Sequence, residues 1–136
     1  MNIASFQESS VGHNTLTKNK RRIGDKYELL AHQYLTRQGL SLIEKNFSTN
    51  GGELDLIMKD LDSIIFVEVR YRKSKSFGHA AETVTASKIK KIVKAANTWL
   101  LKHGLSIHST QIRFDVVAMH DNGQHIEWIK NAINQG

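Results

Sequence analysis

A chain of 136 residues with 40% apolar content has material for one hydrophobic core, but it is too short for two and too apolar for a disordered polymer. It has no cysteine, which excludes disulfides, thiolate nucleophiles and cysteine-ligated zinc. The net charge of +6 is unevenly placed, with eight Lys/Arg against the single acid Glu82 between Arg70 and Lys94. Such a segment is either a solvated helix face or a surface that attracts polyanions. No run approaches the ~18 apolar residues of a membrane helix. The first 22 residues also lack an apolar signal-peptide core, so a soluble cytoplasmic protein with no membrane partner is expected.

Residues 1–20 read as a polar, basic N-terminal tail, and the basic cluster Lys18, Lys20, Arg21 and Arg22 marks where it ends. The folded domain is expected over 21–130, with a short C-terminal tail at 131–136. From Gly24 to Gln38, Tyr27, Leu30, Ala31, Tyr34 and Leu35 recur at helical spacing and Gly39 stands at the stop position. Ser41–Phe47 reads as a short strand, and Asn50-Gly51-Gly52 as a turn. Two strands follow, Glu53–Lys59 and Ser63–Tyr71, joined closely enough by Asp60-Leu61-Asp62 to form an antiparallel hairpin. The run Ile64-Ile65-Phe66-Val67 is apolar on both parities, as in a strand covered on both faces. Arg72–His79 reads as an exposed basic loop, and Ser87–His103 as a second amphipathic helix stopped by Gly104. Gln111–Met119 is a further strand, and Ile126–Ile129 an edge strand. This order of elements implies an α/β domain, with a mixed sheet of four to five strands flanked by helices.

Acids lodged among apolar strand residues carry the chemical signal. Asp55 sits within Leu54-Asp55-Leu56-Ile57, and Glu68 within Phe66-Val67-Glu68-Val69. A buried ionised carboxylate is costly unless a cation compensates it. Either each acid pairs with an arginine (Arg70, Arg72 or Arg113), or the two share one hard divalent cation, Mg²⁺ or Mn²⁺. Strand alternation puts Glu68 and Arg70 on one face, so an acid that holds a metal and a base that faces a phosphate could serve one site. Glu28 flanks the apolar stripe of the first helix. Asp115, two residues from Arg113, is expected to form a structural ion pair. The seven histidines show no metal-ligand spacing and are expected on the surface or in loops. Trp99 is expected to pack on the second helix and Trp128 on the last strand.

Five stretches in order carry a family resemblance: Gly24-Asp25-Lys26-Tyr27-Glu28-Leu29-Leu30-Ala31, Gly52-Glu53-Leu54-Asp55-Leu56-Ile57, Phe66-Val67-Glu68-Val69-Arg70-Tyr71-Arg72, Lys88 to Leu100, and Arg113-Phe114-Asp115-Val116-Val117. Together they resemble the YraN family of small bacterial proteins. That family is similar in turn to archaeal Holliday-junction resolvases and to the PD-(D/E)xK nucleases with their restriction-endonuclease-like fold. The resemblance implies that Asp55 and Glu68 are metal ligands and that Glu28 approaches the metal directly or through water. It places Arg70 where nuclease members carry a lysine; arginine stays protonated but can hold a phosphate oxygen bidentately.

On this reading Arg72, Lys73, Lys75, Lys88 and Lys91 would track a nucleic-acid backbone, with shape or junction recognition in preference to base reading. The leading expectation is a metal-dependent endonuclease acting on DNA, with branched or junction DNA as a candidate substrate. Resolvase relatives that cut two strands imply a homodimer. One alternative is a non-catalytic nucleic-acid-binding module that keeps the fold. Another is a scaffold whose acids make internal ion pairs.

Overall fold

The structure is a computed structural model that describes residues 15–72 and 84–133. Helix α1 spans Thr15–Arg37 and is followed by strands β1 (Ser41–Thr49), β2 (Gly52–Asp60) and β3 (Ser63–Tyr71). Helix α2 spans Ala86–Lys102 and leads into β4 (Ile112–His120), a 3-10 turn at Asp121–Gly123, and β5 (His125–Ile129). The strands form one sheet in the order β1-β2-β3-β4-β5. β3 and β4 run parallel, which α2 makes possible as the crossover between them, and the other three pairs are antiparallel.

The two-sided apolar run of β3 has the consequence expected of it. Ile65 and Val67 join Tyr27, Ala31 and Leu35 of α1 in one core. Ile64 and Phe66 join Ile92, Ala96 and Trp99 of α2 in the other. The protein is therefore a five-stranded mixed sheet with a helix on each face, an α/β architecture.

Several elements differ from expectation. Helix α1 begins at Thr15, nine residues before Gly24, so the basic cluster is helical. Its added turns carry no apolar stripe to announce them. β4 runs one residue further than expected, to His120, which pairs with His125 of β5. Its side chain is only 2% exposed, a correction to the expected surface histidine. His13 and His79 lie outside the described residues.

The turn from β1 to β2 positions α2. Thr49 Oγ1 accepts from Gly51 N at 3.1 Å, and Gly52 then passes directly beneath the helix. A Cβ at Gly52 would lie 2.5 Å from the Lys91 carbonyl oxygen, so only glycine permits this approach. At the start of α2, Thr85 Oγ1 accepts from Lys88 N at 3.1 Å, which fixes the first turn.

Candidate functional site

The β2–β3 ladder ends at the pair Leu56 and Val67. One residue further along each strand are Asp55 and Glu68. Beyond them β2 pairs with β1, from Leu54 to Gly52, while β3 pairs with β4 through Tyr71. The sheet forks at the two acids. Where the ladder would have continued, Val69 N donates to Asp55 Oδ2 at 2.9 Å, so a side-chain acceptor replaces a missing strand partner.

Helix α1 passes over this fork. Ile23, Gly24, Tyr27 and Glu28 line a cavity of about 290 Å³ together with Asp55, Glu68, Val69 and Tyr71. Tyr27 and Tyr71 stack at 4.1 Å between ring centroids and form part of its wall. Burial pushes the Tyr27 phenol up to about 12, with help from its hydrogen bond to Tyr71.

Glu68 is buried. Its Oε2 lies 3.4 Å from Arg70 Nη1 and 3.9 Å from Lys88 Nζ. Burial, then the neighbouring Asp55 charge, raises the Glu68 carboxyl to about 7, against the pull of Lys88 and Arg70. Burial also raises Asp55, opposed by the Val69 N–H and by a hydrogen bond with Glu68, so the two carboxyls share protons as a pair. Glu28 is pushed up to about 7 by burial, then by the charges of Asp55 and Asp25. Among the described residues no three histidines or carboxylates converge tightly enough to form a ready-made metal cage. The donors nevertheless suit Mg²⁺ or Mn²⁺, which typically bind through one or two carboxylates and keep several waters. Asp55 and Glu68 would be the ligands, with Glu28 across the cavity.

The structure thus brings Asp55, Glu68, Glu28, Arg70 and Lys88 to one place. Lys91 is exposed and lines a neighbouring cavity of about 280 Å³ with Ser48, Thr49, Gly52, Glu53 and Lys88. Arg72 follows the last residue of β3, and its N–H donates to Met119 O at 2.9 Å. Lys73 and Lys75 lie outside the described residues. Glu53 and Asp25 were not singled out from the sequence. The Glu53 charge raises both Glu28 and Asp55, and the signal available was its position two residues before Asp55.

Asp115 stands apart. It is fully buried and accepts from Arg113 Nε at 2.8 Å and Nη2 at 2.9 Å, from Trp128 Nε1 at 2.9 Å and from Asn131 N at 2.8 Å. With both oxygens used twice, it is a structural acid that ties β4 to β5. Trp99 is buried on α2 as expected, and its Nε1 donates to Glu44 Oε1 at 2.9 Å.

Among the described residues no helix is long and apolar enough to cross a membrane. Relatives are numerous. A UPF0102 protein of Vibrio cholerae (El Tor Inaba N16961) is 52% identical over 118 residues, covering 87% of this chain and 97% of the relative. One of Vibrio vulnificus (YJ016) is 55% identical over 117 residues, covering 86% and 96%. One of Aliivibrio salmonicida (LFI1238) is 54% identical over 118 residues, covering 87% and 96%. Residues 27–119, which hold the fork and both core faces, match the uncharacterised protein family UPF0102. The chain belongs to that family.

Proposed function

We propose that this protein is a divalent-metal-dependent endonuclease that hydrolyses phosphodiester bonds in DNA, with branched or junction DNA as its substrate. The observation that carries the reading is the fork. Two carboxylates on adjacent strands, Glu68 buried and Asp55 half-buried, lie side by side, flanked by a lysine and an arginine, and open onto a cavity beneath Glu28. Burial first, and then the charge of Asp55, raises Glu28 and Glu68, and a divalent cation would relieve both effects by attracting the ionised acids. The resemblance of the ordered motifs, through the YraN family, to PD-(D/E)xK nucleases supports the same reading.

In this reading Asp55 and Glu68 would hold Mg²⁺ or Mn²⁺, which would supply polarisation of the phosphoryl group and acidification of a bound water. Glu28 orders water on the α1 side of the cavity. A water would give up a proton to solvent as its oxygen bonds to phosphorus, the bond from phosphorus to one sugar oxygen would break, and that oxygen would take up a proton from solvent. Arg70 steadies Glu68, while the cationic rim with Lys88 and Lys91 receives the backbone phosphates. Cutting both strands of a junction would need two such centres, which a pair of chains would supply.

The test is cleavage of supercoiled plasmid and of a four-way junction in Mg²⁺ or Mn²⁺, run beside Asp55→Ala and Glu68→Ala. Activity should require the metal and disappear in both variants. Cleavage that survives both substitutions overturns the assignment. One observation favours a second reading, a binding module without turnover: the cation two residues after Glu68 is the permanently charged Arg70. Salt-sensitive DNA binding that is indifferent to chelator, with no cleavage, would select it.

A further inference from the structure

The fork contains two cations with different relations to the acids. Arg70 comes from β3 itself, and its Nη1 lies 3.4 Å from Glu68 Oε2. Lys88 comes from the first turn of α2, and its Nζ stands 3.9 Å from the same oxygen. At that distance the ammonium is not hydrogen-bonded to Glu68, so its three donors are not committed there. The Lys88 charge acts on both Asp55 and Glu68, and the Arg70 charge on Glu68. Lys88 also lines the neighbouring cavity with Ser48, Thr49 and Lys91, while its amine lies 3.9 Å from Glu68, which lines the cavity under α1.

Local helix chemistry disfavours a lysine at this position. Thr85 caps α2 by accepting from the N–H of Lys88, which makes position 88 the third residue of the helix. Glutamate or glutamine there would complete a reciprocal capping box, and a negative side chain would suit the positive end of the helix dipole. The first turn holds no acid at all. A residue that breaks a local rule and points at a buried carboxylate is positioned for a ligand. Gly52, by letting α2 descend onto β2, brings that turn within reach of the fork.

We infer that Lys88, supplied by α2, is the catalytic cation that contacts the reacting phosphate, and that Arg70 is a positioning residue that holds Glu68. This deepens the endonuclease reading and rests on it.

The test compares plasmid cleavage in Mn²⁺ by the wild type and the Lys88→Met, Arg70→Met and Lys91→Met variants, with circular dichroism confirming that each is folded. Lys88→Met should lower kcat by about 100-fold or more and change KM by less than about five-fold. Lys91→Met should raise KM and leave kcat near wild type. If Lys88→Met changes KM alone while Arg70→Met removes kcat, the assignment is overturned. A second measurement separates this inference from the nuclease reading: the side-chain nitrogen resonances of Lys88 and Arg70 are followed as the dinucleotide TpT is added with Ca²⁺. Movement of Lys88 Nζ supports the phosphate contact even if the wild type never cleaves, an outcome that would remove only the endonuclease assignment. A Lys88 resonance that stays still while Arg70 moves overturns the inference whatever the cleavage assay shows.

Discussion

Replacing Glu68 with glutamine should stabilise the metal-free protein above neutral pH. In the folded chain the Glu68 carboxyl is raised from 4.5 to about 7, because burial and Asp55 outweigh Lys88 and Arg70. A raised carboxyl means that the folded state keeps a proton the unfolded chain has released. Between about pH 4.5 and 7 the unfolded state therefore binds fewer protons, so stability falls as pH rises through that window and levels off above it. At about 1.4 kcal/mol per pH unit, fully ionising this one group costs the fold on the order of 3 kcal/mol, of which about 2–3 kcal/mol falls between pH 5 and pH 8. Glutamine keeps the shape and carries no charge, and it also relieves Asp55. Urea denaturation in chelator at pH 5 and pH 8 is the assay. Between the two, Glu68→Gln should lose on the order of 2–3 kcal/mol less than wild type, and it should exceed wild type at pH 8. The remaining slope belongs to Glu28, raised to about 7 by the same cluster. A wild-type stability that is flat or rising from pH 5 to pH 8 would refute the reasoning. So would a glutamine variant less stable than wild type at pH 8.

Three further outcomes are expected. Gly52→Ala drives a Cβ to 2.5 Å from the Lys91 carbonyl and should cost about 1–3 kcal/mol, measured by thermal melting, because helix and strand must both shift. Asp115→Asn should cost about 3 kcal/mol in urea denaturation, since it leaves Arg113 without its bidentate carboxylate in a buried network. Leu61→Gly should raise stability by about 0.5–1 kcal/mol, because Leu61 is 87% exposed and held at φ 55 in the β2–β3 turn; a loss on melting would contradict that.

What the sequence displayed was whatever depends on burial. β3 was legible from end to end because its apolar residues occupy both parities, which only a covered strand requires. Asp55 and Glu68 were legible because acids are out of place in such strands, and their meeting followed from the hairpin that joins them. The first turns of α1 were not, since Thr15–Ile23 lack an apolar stripe. The 3-10 turn lay hidden in Asp121-Asn122-Gly123, a turn-forming tripeptide whose Asn122 adopts φ 56. Lys88 could be read as one basic residue among several, but its arrival at Glu68 depends on how α2 lies on the sheet, which no local pattern encodes. Asp115 was read correctly as the partner of Arg113, two residues away on the same strand. Its bonds to Trp128 and Asn131 are long-range and left no trace in the local sequence.

The outermost strand, β1, carries a further consequence. Its register slips between Leu42 and Glu44, and Asn46 is held at φ 57, so the outward row of peptide groups is broken twice within nine residues. An incoming extended chain needs an unbroken row to zip onto. At the opposite margin β5 offers only five residues. Both margins of the sheet are therefore poor templates for intermolecular strand addition, and the protein should withstand high concentration without seeding fibrils from either rim.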